Sequence, residues 1–148
     1  MVYAGAFGVV VDLTDDLHDP VDLLFGTQLG GGTDINRALA FCQGTIARPA
    51  QTILVLISDL YDDGNASEML RHAASLVGSG IQVIGLLALS DRGAPAYHRE
   101  HASVLAQMGI PVFACTSDLF PELMASAVNR QDLALWAVQQ HLVVAPSA

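Results

Sequence analysis

The sequence predicts an α/β fold, an open and mostly parallel twisted sheet with helices on both faces. Two observations predict it. Apolar runs of strand length alternate with amphipathic stretches of roughly ten to fifteen residues, the pattern of βαβ units with right-handed crossovers. The runs Ile53–Ile57 and Val83–Leu87 also lack the period-two alternation of half-exposed strands, as expected where both faces are covered. A chain of 148 residues can bury a real core in one domain, so residues 1–148 read as a single domain.

Taken in order, Ala4 to Leu13 reads as a strand that carries Gly5 and Gly8 and ends in the acidic turn Asp15-Asp16. Val21 to Phe25 is a short apolar segment after Pro20, broken by Gly26 and by the Gly30–Gly32 run. Asp34 to Ala47 reads as a helix, with Ile35, Ala38, Leu39, Cys42 and Ile46 on one face and Pro49 just past its end. Thr52 to Ile57 is a strand entering the loop Asp59-Leu60-Tyr61-Asp62-Asp63-Gly64-Asn65. Ser67 to Val77 is a helix stopped by Gly78 and Gly80, and Ile81 to Leu89 is a strand entering Ser90-Asp91-Arg92-Gly93. Pro95 to Met108 reads as a helix closed by Gly109, and Pro111 to Cys115 as a short last strand. Ser117 caps a final helix from near Asp118 to about Gln140, with a break, which Phe120-Pro121 and Trp136 bury against the sheet.

Composition closes off several functional classes. Hydrophobic residues make up 52% of the chain and charged ones 14%, which argues against disorder. No apolar stretch approaches the roughly 20 residues that cross a bilayer, and the amino terminus lacks the basic-then-apolar pattern of a signal peptide. Cys42 and Cys115 lie far apart with no paired spacing, which fits reduced structural thiols and a cytoplasmic location. The formal charge is −9 and every cation is an arginine. Such a surface repels nucleic acid and anionic membrane, so neither is expected as a partner. Without lysine there is no Walker-type phosphate ligand, no Schiff base and no lysine-assisted phosphotransfer.

Two segments carry the chemistry. Leu29-Gly30-Gly31-Gly32-Thr33-Asp34 is a glycine run ending in a hydroxyl and a carboxylate, and Ile53-Leu54-Val55-Leu56-Ile57-Ser58-Asp59 is a strand-like run ending in a serine and an aspartate. Oxygen donors converging at the carboxyl edge of a parallel sheet suit a hard divalent cation. Thr33 and Asp59 are the candidate ligands. Each has a plainer reading: glycines also make tight turns, and an aspartate after a strand also caps a helix or fixes a loop. The glycine run matches neither a phosphate-binding loop nor a dinucleotide fingerprint.

Asp62 and Asp63 share the Asp59 loop, and Asp91 ends the next strand in the same way. His98 and His101, one turn apart with Glu100 between them, form no HExxH motif and read as a solvated helix face. His18, His72 and His141 are isolated, and neither cysteine has a histidine in a nucleophile signature.

With these motifs the chain resembles the von Willebrand factor type A (VWA) domain family, in particular the bacterial cytoplasmic VWA proteins that often accompany an AAA-type ATPase. The resemblance spans essentially the whole chain. It is carried by Asp19-Pro20-Val21, Leu29-Gly30-Gly31-Gly32-Thr33-Asp34-Ile35, Leu56-Ile57-Ser58-Asp59-Leu60, Leu87-Ala88-Leu89-Ser90-Asp91 and Phe113-Ala114-Cys115-Thr116. It implies a Rossmann-like fold and a metal-ion-dependent adhesion site (MIDAS) whose threonine and aspartate positions match Thr33 and Asp59. There Mg2+, or alternatively Mn2+ or Ca2+, would bridge to an Asp or Glu carboxylate of a protein partner. Magnesium accepts only one or two protein carboxylates and keeps several waters, which suits such a bridge. The implied role is a protein-interaction module that is not an enzyme and works with an AAA-type ATPase.

One departure stands out. The family's first strand ends in Asp-x-Ser-x-Ser, and this chain has no such motif. Asp12-Leu13-Thr14-Asp15-Asp16 looks similar, but too few residues separate it from Thr33 to hold the helix and strands the family places there. The resemblance then implies that residues 4–17 are a later edge strand and turn, and that the domain is N-terminally incomplete. A gap in the sheet would leave unpaired backbone groups costing about 1–3 kcal/mol each if buried. The expected consequences are impaired metal binding and self-association through the incomplete sheet. A structural remnant that binds no metal is the main alternative. A haloacid-dehalogenase-like phosphatase using Asp12 is a second, weakened by Thr14 at the second acid's position and by the absence of lysine.

Overall fold

The computed structural model describes residues 3–6, 9–12, 34–61, 65–87, 96–114 and 116–142. The first strands, β1 (Tyr3–Ala6) and β2 (Val9–Asp12), pair antiparallel in the register Ala6 to Val9 and Tyr3 to Asp12. The single strand expected over Ala4–Leu13 is therefore two. Phe7 and Gly8, between the two strands in the sequence, lie outside the described residues.

The second sheet is parallel, with β3 (Ile53–Ser58), β4 (Gln82–Leu87) and β5 (Val112–Ala114) lying in chain order. Its crossovers are helical, α2 (Ala66–Gly78) between β3 and β4 and α3 (Arg99–Gln107) between β4 and β5. Helix α1 (Ile35–Thr45) precedes β3, and α4 (Phe120–Val128) and α5 (Leu133–Gln139) follow β5. This is the α/β arrangement expected from the sequence. Among the described residues no strand pairing joins the hairpin to the parallel sheet.

Local sequence explains most boundaries. Asp34 caps α1 by accepting the Arg37 N–H at 2.8 Å, and Asn65 caps α2 by accepting that of Glu68 at 3.1 Å. Asp132 caps α5 by accepting from Ala134 and Leu135 at 3.0 Å each. Gly80 and Gly109 follow α2 and α3 with φ of 92° and 83°, a left-handed conformation that a side chain resists.

One boundary differs from expectation. Helix α3 starts at Arg99 rather than Pro95, because the His98 ring takes the capping role and accepts the His101 N–H at 3.3 Å. The break expected in the last helix falls between α4 and α5, where Arg130 adopts a φ of 54° and the Asp132 cap restarts the helix.

β4 shows why helices cover both faces. Val83 and Leu87 join Leu39, Met69, Leu76 and Leu105 in one buried cluster beneath α1, α2 and α3. Ile84 and Leu86, pointing the other way, join Phe113, Leu123 and Trp136 in a second cluster beneath α4 and α5. Trp136 and Phe113 hold ring centroids 5.9 Å apart, and Phe120 packs on the same cluster, as expected; Pro121 is exposed. β3 departs from the expectation of two covered faces. Its residues are only partly buried, and Ile57 is 70% exposed. Among the described residues β3 is an edge strand with β4 as its only neighbour.

Candidate metal centre

The parallel register aligns Ser58 with Leu87, so β3 and β4 end together and the chain leaves β3 at the carboxyl rim of the sheet. Asp59 is the first residue beyond that strand and is half-buried. Ser58 Oγ accepts the Leu60 N–H at 3.0 Å, and Asp59 Oδ1 accepts the Tyr61 N–H at 3.1 Å. Each of these side chains thus folds the backbone over itself two residues on. Leu60 adopts a φ of 62°, unusual for a leucine, while its side chain is 1% exposed in the cluster beneath α1–α3. Burial of that side chain offsets the conformational cost and locks the turn that presents Asp59.

The loop is held from a second element. The His98 N–H donates to the Asp59 carbonyl at 2.8 Å, and His101 Nδ1 lies 2.9 Å from the Leu60 carbonyl. The two imidazoles stack with centroids 3.8 Å apart and planes 16° apart, and the Tyr61 ring meets His98 edge-on at 5.4 Å. The reading of these histidines as a solvated helix face is thereby corrected, since both rings are partly buried against the Asp59 loop. Nothing near His101 in the sequence marks this role, because its contact with Leu60 spans 41 residues. His72 also has a partner, Gln43 Oε1 at 2.9 Å.

Thr33 lies outside the described residues, as do Asp62, Asp63 and Asp91. Among the described residues no group of three or more His, Cys, Asp or Glu side chains could hold a metal ion. What the described rim offers is one hard-oxygen donor. Asp59 has one carboxylate oxygen fixed by Tyr61, and among the described residues ion pairing is confined to Arg71 with Glu68, at 3.5 Å. A carboxylate held by a neutral donor, with no cation beside it among the described residues, fits a divalent ion in chemistry. Asp12 ends β2, a strand of the antiparallel hairpin, rather than a strand of the parallel sheet where the phosphatase alternative would place its nucleophile.

The parallel βαβ core with an acidic residue at its carboxyl rim defines a Rossmann-like α/β domain. A family model described as "VWA domain containing CoxE-like protein" matches residues 6–124. The chain belongs to that family. It is also similar to a protein of Escherichia coli (strain K12) described as the uncharacterized protein YehP, at 42% identity over 107 residues. That alignment covers 72% of this chain and 28% of the relative, so the chain spans under a third of the relative's length. No solved structure gives a significant match. Among the described residues no helix is long and apolar enough to cross a membrane.

Proposed function

We propose that this VWA domain is a metal-ion-dependent protein-interaction module. Family membership supports an interaction role in general. Asp59, with Thr33 as its family-matched hydroxyl partner, would hold Mg2+ (alternatively Mn2+ or Ca2+), and the metal would supply an electrophilic bridge to an Asp or Glu carboxylate on a partner protein. The chain's own work is to fix one oxygen of the Asp59 carboxylate through the Tyr61 N–H, the other having no partner among the described residues. Binding rather than catalysis is the role assigned, in the cytoplasm and alongside an AAA-type ATPase. The edge of β3, which has no second neighbour among the described residues and leaves Ile57 70% exposed, supports self-association as an additional contact.

The observation that carries this reading is the posture of Asp59, anchored at the sheet's carboxyl rim and unpaired with any cation among the described residues. Thermal melting against magnesium tests it. Saturating metal stabilises by about 2.7 kcal/mol at one hundred times Kd, a rise of several degrees for a domain of this size. The rise is expected to disappear in both Asp59→Ala and Thr33→Ala. A melting temperature indifferent to millimolar magnesium in the unaltered chain favours the structural remnant instead.

A further inference from the structure

We propose that His101 is a positioning residue for the Asp59 carboxylate, acting through the Leu60 carbonyl; this rests on Asp59 being the metal-facing group. A carbonyl oxygen only accepts, so the proton of the 2.9 Å contact sits on His101 Nδ1. The His101 N–H donates to His98 Nδ1, so the His98 ring carries its proton on the other nitrogen. The two rings therefore have opposite tautomers, set by different partners. Together the His98 N–H and the His101 Nδ1–H grip two successive carbonyls, those of Asp59 and Leu60.

The consequence for the carboxylate follows from counting the loop's polar groups. The Leu60 and Tyr61 amides are spent on Ser58 Oγ and Asp59 Oδ1, and the Asp59 and Leu60 carbonyls are spent on α3. Both sides of the turn are then tied, which holds Leu60 at its φ of 62° and with it the 3.1 Å contact that engages one oxygen of Asp59. Without the His101 bond the Leu60 peptide loses one of its restraints, and the carboxylate is held less firmly in its pose. The His98–His101 stack at 3.8 Å, edged by Tyr61, fixes the imidazole that makes the bond.

Amide hydrogen exchange by NMR on the metal-free chain, followed by a magnesium titration on the same samples, tests the proposal. In His101→Ala the Leu60 and Tyr61 amides are expected to exchange about tenfold faster, the effect of one lost hydrogen bond, while Leu105 and Ile84 keep their rates. In His101→Asn, whose side-chain amide can donate from nearly the same place as Nδ1, both rates return toward those of the original chain. Magnesium affinity falls by a similar factor in His101→Ala and recovers in His101→Asn. Unchanged exchange at Leu60 and Tyr61 overturns the proposal, as does acceleration spread through α3 and β4. Equal magnesium affinity in His101→Ala and the original chain also overturns it. Local acceleration in a chain that never responds to magnesium upholds the His101 grip on the turn and removes the metal reading instead.

Discussion

Gly85 of β4 faces Val112 of β5 so closely that a methyl group between them would be crowded. A Cβ at position 85 would stand 3.2 Å from Val112 Cγ2 and 3.3 Å from Cγ1. The Gly85 N–H donates to the Pro111 carbonyl at 2.9 Å, so the two strands are also tied at that level.

Gly85→Ala is therefore expected to destabilise the domain. Val112 is fully buried and stiff about χ1, so it cannot swing aside, and overpacking of this kind costs about 1–3 kcal/mol. Chemical denaturation should show a lower midpoint with an unchanged slope. Pairing the change with Val112→Ala should cost less than the sum of the two single changes, because the crowding methyls are then gone.

Asp132→Ala removes the cap that two α5 amides share, and a cap of this type is worth about 0.5–2 kcal/mol. The melting temperature should fall by a few degrees. Asp132→Asn, which keeps an accepting oxygen, should lose much less.

Burial pushes the Cys42 thiol up, so its thiolate forms only at higher pH in the folded chain than in the unfolded one. The sign of the linkage follows. This burial contributes stability that is fully present below the unfolded thiol's range and is lost as pH rises through the folded value. In a Cys115→Ser background, iodoacetamide should modify folded Cys42 more slowly than the urea-unfolded chain at mildly alkaline pH. The pH at which the rate is half-maximal should be higher for the folded protein.

Ile57→Lys places a charge on the strand edge where the isoleucine is 70% exposed. Stability should change by no more than about 0.5 kcal/mol, as for other surface positions. Self-association, followed by light scattering against concentration, should decrease, because a lysine on an edge strand opposes pairing with another chain.

The alternation of strand and helix was legible because it rests on local patterns that packing merely confirms. Val83–Leu87 reads as a strand covered on both faces, and it is one. Asp34 reads as the head of a helix and caps it. The end of β3 was equally legible, which put Asp59 at the rim of the sheet. The means of holding Asp59 there were not. They depend on His98, the cap of α3, on His101 in its first turn, and on a leucine in a left-handed conformation that its own burial sustains. Neither effect leaves a mark in the residues around Asp59. The same limit explains the start of α3, where Pro95 suggests a first turn and a histidine ring supplies the cap instead. The two hairpin strands merge in the sequence because Ala4–Leu13 is mostly apolar and carries Gly5 and Gly8, so only the pairing itself separates them.

The single tryptophan of the chain belongs to the α5 layer, pressed on Phe113 and 6% exposed. Its emission is therefore a built-in optical gauge for that side of the molecule. Detachment of α5 would redden and dim the signal, whereas an event confined to the opposite layer or to the Asp59 turn would pass beneath it. Ultraviolet fluorescence and a probe placed near Tyr61 would thus follow two different parts of the same unfolding. Agreement between their curves would show that the two apolar clusters melt as one cooperative unit.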